Sequence, residues 1–492
     1  MKPTDRIDPS APTPARIWCR CLLFLLGSLV AHAAEPRTVH LSRPDPGPAF
    51  DGWGTSLCWF ANAIGRWPEP QRSEIADALF SDRGLGLTVV RYNIGGGEKP
   101  DHHHMPWFRQ MEGFEPAAGV WDWTADPGQR WMLEAALKRG ANRLEAFSNS
   151  PPYWMTLSQC ASGGSNPNHD NLDPQQETAF AEYLAQVVEH FQKTWGIRFD
   201  TLDPMNEPYT DYWHAHGNQE GCHFDRPSQA RLIQRLRAVL DQHGLETVKI
   251  SAADETNYDR AIGTWEAYDT KTRDCVAQIN AHAYDTKRRT ELRTLARAAG
   301  KPLVMSEVDG SDAAVHDHAA IGPALALAGR VIDDLRDLQP RRWAFWQAVE
   351  DEASAAKSNH NWGLIHADLQ GDSHAWVATK KYHALGNFSK FIRPGAVLVP
   401  CDAPDTVAAY DRDRQVLVIV TRNAQSADEA IAYDLTAFGP APMRVDVYRT
   451  SATENLTRLP GEAVAHRRLS ATARAQSITT YVVAVGADAS RR

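Results

Sequence analysis

Up to about residue 384, short β-branched or apolar runs alternate with longer stretches of helical spacing. The runs Phe50–Cys58, Leu87–Asn93, Arg143–Phe147, Phe199–Pro204, Val248–Ala252, Val276–His282, Pro302–Ser306 and Arg342–Gln347 have the length and bounding residues of buried strands. Between them, helices are predicted over Gln71–Phe80, Gln129–Arg139, Pro174–Trp195, Pro227–His243, Thr290–Ala299 and Ala319–Leu338. In Glu177–Phe191 apolar residues recur every three or four positions, as an amphipathic helix requires. Eight such units predict a (β/α)8 barrel with enlarged loops over residues 49–384. A doubly wound sheet would need a glycine-rich phosphate turn after its first strand. Gly95-Gly96-Gly97 follows a strand but lacks that spacing, and reads as a turn.

Past residue 385 the helical spacing stops. Ala396–Val399, Thr406–Tyr410, Gln415–Thr421, Ala430–Leu435, Met443–Arg449 and Ile478–Val485 are strand-like and separated by turns. They predict an antiparallel β-sandwich over residues 385–488. Thr38–Leu41, within the segment 34–48, is expected to add one strand to it.

The first 33 residues follow neither pattern. A basic, Pro-containing flank with Lys2, Arg6, Arg16 and Arg20 precedes the apolar run Cys21–Val30 and then Ala31-His32-Ala33. That order predicts a secretory signal cut after Ala33, and a secreted or periplasmic protein without a membrane anchor. The apolar run is too short to span a bilayer. Net charge is -9, with no basic excess to suggest nucleic acid. The 43% hydrophobic and 23% charged fractions exclude a disordered chain. Sixteen Trp are a surplus that is either plain core or the lining of a groove for a flat-faced ligand.

Five Cys remain after cleavage: Cys58, Cys160, Cys222, Cys275 and Cys401. Cys160 and Cys222 lie in polar, Gly-rich loops and are expected to pair. No CxxC or HExxH occurs. His102-His103-His104 are adjacent in one loop and are read as a substrate-side loop rather than a metal site, and His214 and His216 as loop residues. No metal or cofactor is expected.

In a barrel, chemistry sits at the C-terminal strand ends. Here the second strand ends in Arg91-Tyr92-Asn93, and the third is followed by Ser148-Asn149-Ser150 and Trp154. The fourth leads into Asn206-Glu207-Pro208, the sixth into His282-Ala283-Tyr284 and the seventh into Ser306-Glu307. The eighth carries Trp346. Two strand-end carboxylates on facing strands suit glycosidic cleavage, which needs a proton donor and a second carboxylate. Asp309 and the pair Asp254 and Glu255 are the weaker alternatives. Arg91 is placed to hold a carboxylate ionised, Asn206 to bond a sugar hydroxyl, and Tyr284 to donate to Glu307. Asn149, Ser150, His282, Trp59 and Trp154 are further candidates for substrate contact.

These residues lie in motifs that resemble glycoside hydrolase family 30. The motifs are Gly52-Trp53-Gly54-Thr55-Ser56-Leu57, Val90–Gly96, Ser148–Met155, Pro204–Pro208, Gln219–Cys222, Ala252–Thr256 and Met305–Gly310. The resemblance implies retaining hydrolysis of a β-glycoside on a barrel with a side-by-side sandwich. It implies Glu207 as acid/base, Glu307 as nucleophile and Trp346 as the floor of the central sugar site. The first and last motifs are most similar to the endo-β-1,6-galactanase branch. Cys58-Trp59-Phe60 and the His-rich loop depart from that branch and bear on substrate rather than chemistry. The expected partner is a polysaccharide or oligosaccharide, and the expected state a monomer. β-1,6-glucan, xylan or another β-galactoside are alternative substrates, and a non-catalytic sugar-binding protein is the alternative class.

Overall fold

A computed structural model describes residues 35–43, 47–309, 315–439 and 443–485. The predicted signal, residues 1–33, lies outside them. Among the described residues no helix is long and apolar enough to cross a membrane.

Eight parallel strands close a barrel: Gly52–Ser56, Val89–Asn93, Arg143–Phe147, Thr201–Asp203, Lys249–Glu255, Val276–His282, Leu303–Glu307 and Arg342–Gln347. Strands three, six and eight coincide with the runs predicted from sequence. These strands read as apolar runs because the barrel interior and the surrounding helices bury both of their faces. The helix Gln71–Phe80 also matches its prediction, and Glu177–Lys193 turns Phe180, Leu184, Val187, Val188 and Phe191 inward.

Nine further strands form one curled sheet, in the spatial order 37–40, 429–434, 468–473, 457–465, 444–450, 477–484, 416–423, 406–411 and 397–399. The sheet folds over a second core that includes Leu417, Ile419, Ile431, Tyr433, Val447 and Tyr481. The strand Arg37–His40 pairs in parallel with Glu429–Asp434 at one edge, as the segment 34–48 was expected to do. Val418 and Val420 point the other way and join the barrel's core, so the strand Val416–Asn423 is buried on both faces. That double burial explains its unbroken apolar run.

Several features differ from the sequence expectation, among them the helix Tyr258–Ala267 and a small sheet of Val349–Asp351, Ile365–Ala367 and Trp376–Ala378. The helix Lys380–Ser389 crosses the boundary drawn at residue 384, packing on the barrel helix Ile321–Asp333 and on the sandwich strands Arg444–Thr450 and Ser477–Ala484. The strands Thr457–Ala465 and Arg468–Ala473 were not predicted. The first is exposed along most of its length and contains Pro460-Gly461, so it offers no apolar alternation to read.

Candidate active site

The strand ends bring together Arg91, Glu145, Glu207, Asp254, His282, Tyr284, Ser306 and Glu307. Arg91 is 1% exposed and meets three carboxylates at once. Its Nε lies 3.0 Å from Glu145 Oε1, its Nη2 2.7 Å from Asp254 Oδ2 and its Nη1 3.1 Å from Glu307 Oε2. The planar guanidinium reaches the three carboxylates from three different nitrogens, which a single ammonium cannot do. His282 is fully buried. Its Nδ1 is 3.0 Å from Glu207 Oε1 and 3.4 Å from Glu307 Oε1, and its Nε2 is 3.1 Å from Asp254 Oδ1. One oxygen of Glu207 and one of Glu307 lie within 4.8 Å of each other, with His282 between them.

Each glutamate has its own tyrosine. Tyr284 donates to Glu307 Oε1 at 3.1 Å, as predicted from the sequence. Tyr212 donates to Glu207 Oε2. Trp213 Nε1 donates to the Glu207 carbonyl at 3.1 Å. Glu207 has φ 46° and Asp254 φ 53°. The left-handed region costs a non-glycine residue energy, and these two side chains sit there because the loops over-determine them. Glu207 N–H donates to the Asp254 carbonyl at 2.9 Å, which ties the two turns together.

Electrostatics follow from crowding. Glu145, Asp203, Glu207, Asp254 and Glu307 are all buried, against one guanidinium and one imidazole. Protons must supply the balance. Burial pushes Glu307 up, to about 7; His282 pulls it down, Glu207 beside it pushes it further up, and Arg91 pulls it down. Asp203 is raised well above the carboxylate range by burial and by Asp254 and Glu145. Asp254 resists its burial because Arg91 and His282 hold it down, to about 2. His282 is raised despite burial, by Glu307 and Asp254.

The remaining predicted residues divide. Trp59 and Trp346 meet edge to face with centroids 5.1 Å apart, and Arg109 lies over Trp59 at 4.9 Å. Trp59 is nearly buried, whereas Trp346 is half-exposed. Asn206 is 3% exposed, with its side-chain oxygen unpartnered among the described residues. Asn149 accompanies the site through Asn93, whose side-chain oxygen accepts from Asn149 N–H at 3.2 Å. Ser150 spends its hydroxyl on the Pro151 carbonyl. Trp154 donates to the Glu115 carbonyl at 2.8 Å, further out along the same loop.

Glu145 and Tyr212 were not anticipated. Glu145 accepts from Arg91, Thr201, Ser251, Gln278 and Asn280. A charged residue inside an otherwise apolar strand was its signal. Tyr212 lies in an irregular loop that leaves no pattern in the sequence.

The expected Cys160–Cys222 disulfide is absent: both thiols are free. Cys222 is buried in the apolar core with its sulfur toward the His223 carbonyl. Cys160 instead faces His104, with Sγ 3.4 Å from Nε2. The adjacent histidines were not expected to converge, and two of them do. His102 and His104 turn to the same side and meet His216, while His103 is exposed. Alternate residues of an extended segment share a face, which adjacency in sequence hides.

A family model described as O-Glycosyl hydrolase family 30 matches residues 37–285. An endo-β-1,6-galactanase from Hypocrea rufa is 35% identical over 414 residues, covering 79% of this chain and 81% of that protein. An exo-β-1,6-galactobiohydrolase from Bifidobacterium longum is 26% identical, over 83% of this chain and 36% of its own length. Among solved structures, the catalytic domain of a family 30 xylanase C from Talaromyces cellulolyticus superposes with a TM-score of 0.71 at 20% identity. That superposition covers 91% of this chain and all of the xylanase chain, and it bears on fold.

Proposed function

Because the chain belongs to glycoside hydrolase family 30 and is a glycosidase, we propose that it cleaves β-1,6-linked galactan with retention of configuration, using Glu307 and Glu207. The observation that carries the reading is the close approach of these two carboxylates, within 4.8 Å, at the ends of facing strands. Retaining glycosidases hold their carboxyl groups about 5–5.5 Å apart, whereas inverting ones leave room for a water.

Glu307 is the nucleophile because the permanent cation, Arg91, sits on it together with the Tyr284 hydroxyl. Both favour its ionised form. Glu207, held by the Tyr212 hydroxyl and by His282, is the carboxyl placed to protonate the leaving oxygen. In the first step Glu307 bonds to the anomeric carbon as the glycosidic C–O bond breaks and Glu207 protonates the departing oxygen. In the second, Glu207 takes a proton from water, whose oxygen displaces Glu307 from the anomeric carbon. His282 bridges the two carboxylates and holds their orientation. Trp346, half-exposed beside Trp59, offers an aromatic face to the C–H side of the sugar ring.

The galactan assignment rests on the Hypocrea rufa relative and on the sequence motifs at Gly52–Leu57 and Met305–Gly310. The Bifidobacterium relative acts on the same linkage from a chain end, so product sizing separates internal cleavage from release of disaccharide. Export follows from the signal-like residues 1–33. The test is to assay Glu307→Ala and Glu207→Ala on β-1,6-galactan beside β-1,6-glucan and xylan. Each variant should lose at least about 1,000-fold in turnover. Full activity in either ends the mechanism, and turnover of glucan or xylan in preference to galactan ends the substrate assignment.

A further inference from the structure

Three loops around the barrel mouth converge on a cluster that the glycosidase chemistry does not use. His102 and His104 come from the loop after the second barrel strand, Cys160 from the loop after the third, and His216 from the loop after the fourth. One donor atom of each lies within 4.8 Å of the others. We infer that His102, His104, Cys160 and His216 form a binding site for one Zn²⁺ ion that staples these three loops together.

The spacing fits. Zn–S of about 2.3 Å and Zn–N of about 2.0–2.1 Å at a tetrahedral angle put sulfur and nitrogen about 3.5 Å apart. Cys160 Sγ lies 3.4 Å from His104 Nε2. The sulfur also accepts the backbone N–H of His216 at 3.3 Å. In His102 and His104 the second ring nitrogen is engaged as a metal-bound imidazole requires. His104 Nδ1 bonds the Gly217 carbonyl, leaving Nε2 as ligand. His102 Nδ1 lies 2.9 Å from Glu98 Oε1, which likewise frees Nε2.

Charge is consistent as well. The Glu98 side chain is 3% exposed and borders the cluster, with Oε2 3.3 Å from His104 Nε2. A dication with one thiolate and one neighbouring carboxylate sums to zero in a largely buried place. Ion pairing with Glu98 accounts for His102 and His104, and Cys160 Sγ lies 3.6 Å from Glu98 Oε2 and 3.1 Å from Ser162 Oγ, but the same contacts do not account for the approach of the His216 ring. Three imidazoles and a thiolate are a borderline-soft set that selects zinc over calcium or magnesium. Four protein ligands leave no open position, so the ion is structural.

The contrast with a second cluster is instructive. His316, His318 and His366 each face an oxygen of Glu352 at 3.0 Å. That set is its own partner and contains no sulfur.

The staple has a consequence for the reaction. His216 is nine positions beyond Glu207, and Tyr212 and Trp213, which bond Glu207, lie between them. Gly163 carries φ +138°, and a Cβ there would come within 2.2 Å of the Trp213 backbone, so the Cys160 loop already presses on this segment. An ion at the cluster fixes the far end of the loop that orients the proton donor.

The experiment uses untagged protein loaded with Zn²⁺, desalted and analysed for metal, then exchanged with Co²⁺ for absorption spectroscopy. The expected result is one ion per chain, a sulfur-to-cobalt charge-transfer band, and loss of both in Cys160→Ser. His216→Ala, at the exposed rim, should weaken zinc at least about 10-fold while the fold persists; it serves if Cys160→Ser does not fold. A chelator should lower the melting temperature of the wild type and leave Cys160→Ser unmoved. Zinc content equal in the wild type and both variants, or a cobalt complex without the sulfur band, overturns the inference. The second result would point to the His316 cluster. Metal content and spectrum are read without any sugar, so they stand apart from the galactanase assignment.

Discussion

Tyr284→Phe removes one oxygen and should move one limb of the pH profile. The hydroxyl donates to Glu307 Oε1 at 3.1 Å from a half-buried position. A hydrogen bond to a charged group contributes about 1.5–3 kcal/mol. One pKa unit corresponds to about 1.4 kcal/mol, so losing this bond raises Glu307 by about 1–2 units. Glu307 must be ionised to attack, and burial has already lifted it to about 7. The acid limb of kcat/KM should therefore shift to higher pH by about 1–2 units, with activity on that limb falling roughly 10–100-fold. On the plateau above it the loss should be smaller. The assay is kcat/KM against pH on galactan oligosaccharides, with Tyr212→Phe as the comparison. Tyr212 donates to Glu207, so its removal should leave the acid limb in place. An acid limb unmoved in Tyr284→Phe, or moved equally in both variants, would refute the assignment of Glu307 as the ionised partner.

Other outcomes follow from the same geometry. Arg91→Met strands Glu145, Asp254 and Glu307 around an apolar side chain, and should cost about 3–5 kcal/mol in a urea titration. Trp346→Ala should raise KM roughly 10-fold or more through lost aromatic area while the melting temperature barely moves; the reverse pattern would mean that Trp346 is packing. Non-reducing conditions should leave mobility and melting temperature unchanged, since Cys160 and Cys222 are unpaired; mapping of a Cys160–Cys222 peptide would contradict this. The exported protein should begin at Ala34, by N-terminal sequencing.

Local pattern carried most of the fold. Arg143–Phe147, Val276–His282 and Arg342–Gln347 are apolar runs whose ends are set by turn residues, and they fold where the runs stand. Thr457–Ala465 was invisible because an exposed strand has no face to reveal. Glu207 and Glu307 were legible because a strand end in a repeated unit has a known address. Glu145 and Asp254, which set the charge of the site through Arg91, were harder: their importance lies in who faces them across the barrel. The Cys160 misassignment has the same origin. Spacing along one loop says little about three loops meeting, and the partners of Cys160 lie 56 residues away on either side of it.

The edge pairing of Arg37–His40 with Glu429–Asp434 sets an order on synthesis. The two strands are 392 residues apart, taking Arg37 and Glu429 as the reference pair. At about 5–20 residues per second, roughly 20–80 seconds separate the appearance of the first strand from that of its partner. Throughout that interval the segment just behind the predicted cleavage site has an unfilled edge and no place in any core. The barrel can assemble while its own leading end is still unattached, and the sandwich closes only when the last tenth of the chain arrives. A leader that is still being handled by an export apparatus would thus be tethered to an uncommitted strand rather than to a folded one.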